Sequence, residues 1–296
     1  MSIYEDYMSN YFQAIQKYKN SIDLQVIKQS IDTVIDFVRY SDSEPNEHLD
    51  FRDKSKILGE ETYKFDVFEK AHAALCINDW DVNTIGDGSI CKHVADAMTY
   101  TDNLVNRRFV VPEFLDKLKT PDKQQRSKYE HALYEIYCGS DEEKAFKDAI
   151  SSFKGKYSLL AFLFFIKDKD RFLPTSSETF DSIFSEMGLP FKMQKRCSWE
   201  NYCEFLAIIS SVKDYLSGLN ICNHEISLLD AHSIVWIMNY EKYKTWCNTS
   251  SDINTPMIIK KRIENSDGTI NYQCPRCDYS FKRNGRCPAC GQLVKE

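Results

Sequence analysis

Apolar residues recur at steps of three and four through most of the first 250 positions, the period of a helix that turns one face toward a core. Ile3, Tyr4, Tyr7, Met8, Tyr11, Phe12, Ile15 and Tyr18 form one such stripe, and Val26, Ile27, Ile31, Val34, Ile35 and Val38 form the next. Turn formers and charges at 41–47 close this second helix. From about 60 to 118 the pattern stays helical but is interrupted at Asn78-Asp79 and at Gly86-Asp87-Gly88. Residues 119–126 have no side chain suited to a core and predict a solvated connector. Beyond it, Ser177 is placed to cap a helix whose inner face is Phe180, Ile183, Phe184 and Met187 and which Gly188 and Pro190 stop. Ser198 precedes another, turning Tyr202, Phe205, Leu206, Ile209, Val212 and Leu216 inward. Residues 228–238 are apolar on nearly every side, as in a helix at the centre of a bundle. No comparable run alternates with period two, so the predicted body is mainly α.

After about residue 248 the character changes. Residues 248–256 are polar and turn-rich, 257–263 predict a short strand, and cysteine pairs follow. The expected organisation is an N-terminal helical region at 1–125, a central helical bundle at 126–250 and a small domain at 257–296.

That last segment reads Cys274-Pro-Arg-Cys277, a nine-residue spacer, then Cys287-Pro-Ala-Cys290-Gly291. Two residues between paired cysteines let one tight turn deliver both thiolates to a single ion, and two such turns complete the tetrahedral shell that zinc prefers. The spacer, with Asn284-Gly285, suits a hairpin. The motif resembles the zinc ribbons found across transcription, repair and defence proteins. The fold class expected is therefore a mainly α, multi-helix body with a small C-terminal zinc ribbon. With four cysteines and no vacant position the ion is expected to be structural, and spacing alone leaves iron as an alternative. So small a module has almost no core, so the metal would supply its folding free energy.

Charge sharpens the contrast. Residues 257–296 hold eight basic and four acidic side chains, whereas 1–256 hold 30 and 40, within a chain of net charge −6. Arg276, Lys282, Arg283 and Arg286 crowd the cysteines, with Tyr279 and Phe281 between them, a mixture suited to phosphate contact and base stacking. The same aromatics could instead form the miniature core of the knuckle. The acidic body argues against unassisted wrapping of duplex DNA. The N-terminus lacks the basic stretch and apolar core of a secretory signal, and the longest apolar run, 157–166, is about half of a bilayer-spanning length. A cytoplasmic protein without a membrane segment is expected, and its other seven cysteines are expected to be packing residues rather than disulfides.

Catalytic constellations are weak. Asp230-Ala-His232 invites an acid–base reading, with Cys222 and His224 as a nucleophile and base, yet residues two apart on a helix face different sides. Cys91-Lys-His93 with Cys76 lacks a fourth metal ligand, Gly86-Asp87-Gly88 is a turn rather than a phosphate loop, and Asp141-Glu-Glu-Lys144 reads as an acidic first helical turn.

The phrases Tyr134-Glu-Ile-Tyr137, Phe164-Phe-Ile-Lys-Asp168, Arg171-Phe-Leu-Pro174, Phe180-Asp181, Cys197-Ser-Trp-Glu-Asn-Tyr202 and Leu229-Asp-Ala-His-Ser233 together resemble a helical region of uncharacterised bacterial proteins, some linked to HNH nuclease or restriction-type domains. No HNH core surrounds the cysteine pairs, so the resemblance carries over no catalytic residue and implies only a DNA-related or phage-defence setting. The expectation is a non-enzymatic zinc-ribbon protein that contacts nucleic acid or a nucleoprotein partner. The alternatives are a nucleic-acid-processing enzyme whose site assembles only in the fold, and a protein-interaction scaffold.

Overall fold

The computed structural model of the chain describes residues 3–42, 48–250, 257–258, 261–264, 270–274, 279–281, 285–287 and 293–295. The described residues form twelve α-helices: α1 (Ile3–Lys19), α2 (Leu24–Ser41), α3 (Tyr63–Ala74), α4 (Ser89–Ala97), α5 (Val110–Leu118), α6 (Lys123–Cys138), α7 (Glu142–Phe153), α8 (Tyr157–Phe165), α9 (Ser177–Met187), α10 (Trp199–Leu219), α11 (Leu228–Trp236) and α12 (Glu241–Ser250). No helix among them is long and apolar enough to cross a membrane.

Side-chain caps set five of the helix starts. Asp23 accepts the Gln25 N–H at 2.9 Å to begin α2, Asp122 accepts those of Gln124 and Gln125 to begin α6, and Asp141 accepts that of Lys144 to begin α7. Ser198 caps α10, and Ser227 with Asp230 forms a reciprocal capping box on α11. At α9 the cap is Ser176, one residue before the expected Ser177, and its hydroxyl pairs with Thr179 Oγ1 rather than with a helix N–H. Gly188, at φ 81°, ends that helix as expected.

The buried apolar side chains from Tyr11 to Trp246 belong to one continuous cluster. Helices from both sides of residues 119–126 contribute to it, with α4 packed on α6 and α1 along α10, so that connector does not divide two cores. Its middle is aromatic, with Phe146 stacked on Tyr202 at 5.6 Å and Phe164 edge-on to Phe172 at 5.1 Å. An irregular strap, residues 166–176, crosses this core between α8 and α9. Its backbone would be costly to bury without partners. Four distant side chains supply them. Tyr11 donates to the Arg171 carbonyl at 2.6 Å, and His72 Nδ1 lies 2.7 Å from that of Ile166. Tyr202 donates to Leu173 O at 2.7 Å while accepting the Leu173 N–H at 3.2 Å, and His232 bonds Pro174 O at 3.0 Å.

The C-terminal segment builds two three-stranded sheets from β1 (Met257–Ile258), β2 (Lys261–Glu264), β3 (Ile270–Gln273), β4 (Ser280–Phe281), β5 (Gly285–Arg286) and β6 (Leu293–Lys295). One runs β2-β3-β4, all antiparallel, and the other β1-β6-β5, with β1 parallel to β6. Two expectations are thereby corrected. Residues 257–263 hold two strands belonging to different sheets, and the cysteine spacer is no hairpin, because β4 pairs with β3 while β5 pairs with β6.

Candidate functional site

Each cysteine pair begins at the end of a strand that turns back on itself. Cys274 directly follows β3, and its N–H donates to Tyr279 O at 2.9 Å, closing the turn that leads into β4. Cys287 directly follows β5, before the turn that leads into β6. Cys274 and Cys287 are buried together in a second small cluster with Phe281 and Val294, against which Tyr272 packs. Two sulfurs drawn from two separate hairpins into one enclosed place fit a shared thiolate-bound ion. Cys277 and Cys290, with Arg276, Lys282 and Arg283, lie outside the described residues.

The two aromatic side chains between the cysteine pairs, Tyr279 and Phe281, part company. Phe281 is buried and faces Tyr272, with centroids 6.3 Å apart, whereas Tyr279 is 48% exposed. Arg286 turns toward the helical body. Its Nε lies 2.8 Å from Asp36 Oδ2 on α2, and its guanidinium sits 6.0 Å from the Trp246 ring on α12, which packs against Phe37 at 5.6 Å. The expected phosphate ligand Arg286 thus has an internal carboxylate partner.

The body's titratable groups fall into separate networks. Asp230, buried, takes both terminal nitrogens of Arg52 and the hydroxyl and N–H of Ser227, at 2.7 and 2.9 Å. His224 Nε2 lies 3.4 Å from Asp230 Oδ2 but outside hydrogen-bonding geometry. Burial, and then the Asp230 carboxylate, push the Cys222 thiol up to about 11, so it stays protonated near neutral pH and is a poor nucleophile.

His232 belongs to another network. Its Nδ1 is 3.0 Å from Lys64 Nζ, a donor, so Nδ1 accepts and Nε2–H donates to Pro174 O. Burial, then the neighbouring Lys64 charge, hold His232 well below the usual imidazole range. Lys64 is itself buried and its pKa is lowered by desolvation, opposed by Glu61 at 2.7 Å, whose other oxygen accepts the Tyr240 hydroxyl. With both nitrogens engaged, His232 has no lone pair for a substrate. Asp230 and His232 point apart, as their spacing requires.

The Gly86-Asp87-Gly88 loop is also accounted for. Gly86 and Gly88 adopt φ of 104° and 102°, and the N–H groups of Gly86, Gly88 and Cys91 converge on the buried Glu130 carboxylate at 2.6, 3.2 and 2.9 Å. The Cys76, Cys91 and His93 trio does not assemble. Cys91 is buried with its thiol raised to about 12 by desolvation, His93 Nδ1 accepts the Trp80 indole N–H at 3.1 Å, and Cys76 is exposed. Among the described residues no group of three or more potential metal ligands forms. The expectation that all seven other cysteines pack inside is corrected for Cys76 and Cys138, both exposed at helix ends.

Compared with protein-family models, curated proteins and solved structures, the chain matches none. Sequence reasoning missed Lys64, Glu130 and the Arg286–Asp36 pair, since each depends on a partner distant in the chain. Only the glycine pair at 86 and 88 signalled one of them.

Proposed function

We propose that the chain is a binding protein in which Cys274, Cys277, Cys287 and Cys290 hold one structural zinc, and that the ribbon so formed contacts nucleic acid or a nucleoprotein in a restriction or phage-defence setting. The observation that carries this reading is the exposure of Tyr279 beside the first cysteine turn, while Phe281, with Tyr272 against it, supplies the aromatic part of the small core. An exposed ring among basic residues offers a stacking face for a base. Arg276, Lys282 and Arg283 are the phosphate ligands in this proposal. Arg286 holds the ribbon to α2 and contributes less. Zinc, when bound, supplies the cross-link that so small a core cannot replace. The enzyme alternative has less support, because His93, His224 and His232 serve three separate networks.

The test pairs metal analysis with binding of single- and double-stranded DNA and RNA over a salt series. One zinc per chain is expected. The Tyr279→Ala variant should lose about fivefold to a hundredfold in single-strand affinity. Replacing Arg276, Lys282 and Arg283 by alanine should flatten the salt slope by about 0.7 to 0.9 for each phosphate that is no longer neutralised. Unchanged slopes in variants that retain zinc would remove the ribbon from nucleic-acid recognition, and stoichiometric iron would overturn the zinc assignment.

A further inference from the structure

We propose that the turn Asn106-Arg107-Arg108-Phe109 is a second contact surface, on the helical body, which takes single-stranded nucleic acid by stacking a base on Phe109 and pairing phosphates with Arg107 and Arg108. It is separate from the ribbon and does not depend on the ribbon's binding. All four residues are exposed, and Phe109, at 69%, is the most exposed large apolar side chain among the described residues.

That exposure does not come from a loose loop. Asn106 Oδ1 accepts the N–H groups of Arg108 and Phe109, both at 3.0 Å, and its carbonyl accepts those of Val110 and Val111 at 3.0 and 3.1 Å. Val105 on one side, and Val110 and Val111 on the other, are buried. The turn is thus fixed at both ends while it holds a phenyl ring in water, forgoing the stabilisation that burial would yield. Arg107 Nη2 lies 3.4 Å from Thr99 O, which sets its guanidinium against the short 3-10 turn Met98–Tyr100. Tyr100, the residue after Thr99 on that turn, is 42% exposed and offers a second aromatic side chain to solvent. Arg108 makes no ion pair among the described residues. Glu113, one helical turn further along α5, is held by Lys117 at 2.9 Å and does not compensate the arginines.

The pairing of rings and guanidinium groups selects the partner. Guanidinium matches phosphate by charge and fork geometry, and every nucleobase offers a face to an aromatic ring. In a duplex those faces already cover one another, so an intact double helix would leave Phe109 and Tyr100 in water. An acidic peptide matches the charge, but it is usually seated by a groove or a strand edge. This surface lies between a 3-10 turn and the start of a helix, and the described strands all lie within residues 257–295.

The experiment uses the full chain with fluorescein-labelled oligo-dT and oligo-U, a duplex DNA, and oligo-glutamate. Phe109→Ser and Arg108→Ser are compared with wild type and with Tyr279→Ala on the ribbon. Each of the first two should weaken single-strand binding about tenfold, with melting temperature and duplex binding unchanged. Wild-type affinity for oligo-dT and oligo-U in both variants overturns the surface, whatever Tyr279→Ala does. Loss of oligo-glutamate binding without loss of oligo-dT binding also overturns it and assigns the turn to an acidic protein. A fall in Tyr279→Ala alone supports the ribbon and not this turn, while a fall in the Phe109 and Arg108 variants alone does the reverse.

Discussion

The helical body and the ribbon differ in what holds them together. The body closes one continuous apolar cluster in which Phe162, Phe164, Phe165, Phe172 and Phe180 are fully buried, and the charged groups it brings inside, Lys64, Glu130 and Asp230, each meet a partner. The ribbon's described core is Cys274, Phe281, Cys287 and Val294, with Tyr272 against it. A core of that size cannot offset the entropy of ordering its own strands. The body can tolerate the removal of a side chain and remain folded, whereas in the proposed reading the ribbon depends on a metal held by its sulfurs.

Removing one of those sulfurs should give the largest effect. Cys277→Ser should abolish stoichiometric zinc, whose binding in small modules of this kind contributes on the order of 10 kcal/mol or more, and should unfold the ribbon. Far-ultraviolet circular dichroism should nevertheless retain most of its helical signal. Loss of that signal would show that the two cores are one cooperative unit.

Inside the body, Lys64→Ala should cost about 3–5 kcal/mol, because it strands the buried Glu61 carboxylate and removes the donor to His232. Urea titration checks this, and a loss under about 1 kcal/mol would mean that water reaches the pair.

A smaller effect concerns pH. His232 has its folded pKa depressed below the unfolded value, so the unfolded chain binds the proton more readily. Stability should be complete above about pH 6.5 and should fall as pH drops from there toward the folded pKa, by up to about 1.4 kcal/mol per unit. Melting curves from about pH 7 to about pH 5 should show that slope in wild type and a shallower one in His232→Gln. Equal slopes would assign the acid sensitivity to other groups.

Much of the body was legible because its cues are local. Ser198 and the apolar steps that follow announce α10, and the all-round apolar run from Leu228 announces a buried helix, since cap and period act within a few residues. Long-range partners were not legible. Lys64 and His232 stand 168 positions apart, and nothing near Lys64 marks it as buried. The ribbon shows both situations. The cysteine spacing points to four candidate ligands, of which the described residues include Cys274 and Cys287, buried in one cluster, yet the pairing of β4 with β3 and of β5 with β6 depends on hydrogen bonds that spacing does not encode. Arg286 looks like its basic neighbours in the sequence, and only the fold sets it beside Asp36, 250 residues away. Tyr279 and Phe281, two positions apart, could be told apart only by which one the core encloses.

The loop at Gly86–Gly88 has one more implication. The N–H groups of Gly86 and Gly88, with that of Cys91 in the first turn of α4, form a receptor for a negative charge, and the chain supplies that charge itself through Glu130. The loop is an anion receptor with a tethered guest. Glu130 thereby joins α6 to the loop and to the start of α4 through a charge rather than through apolar packing.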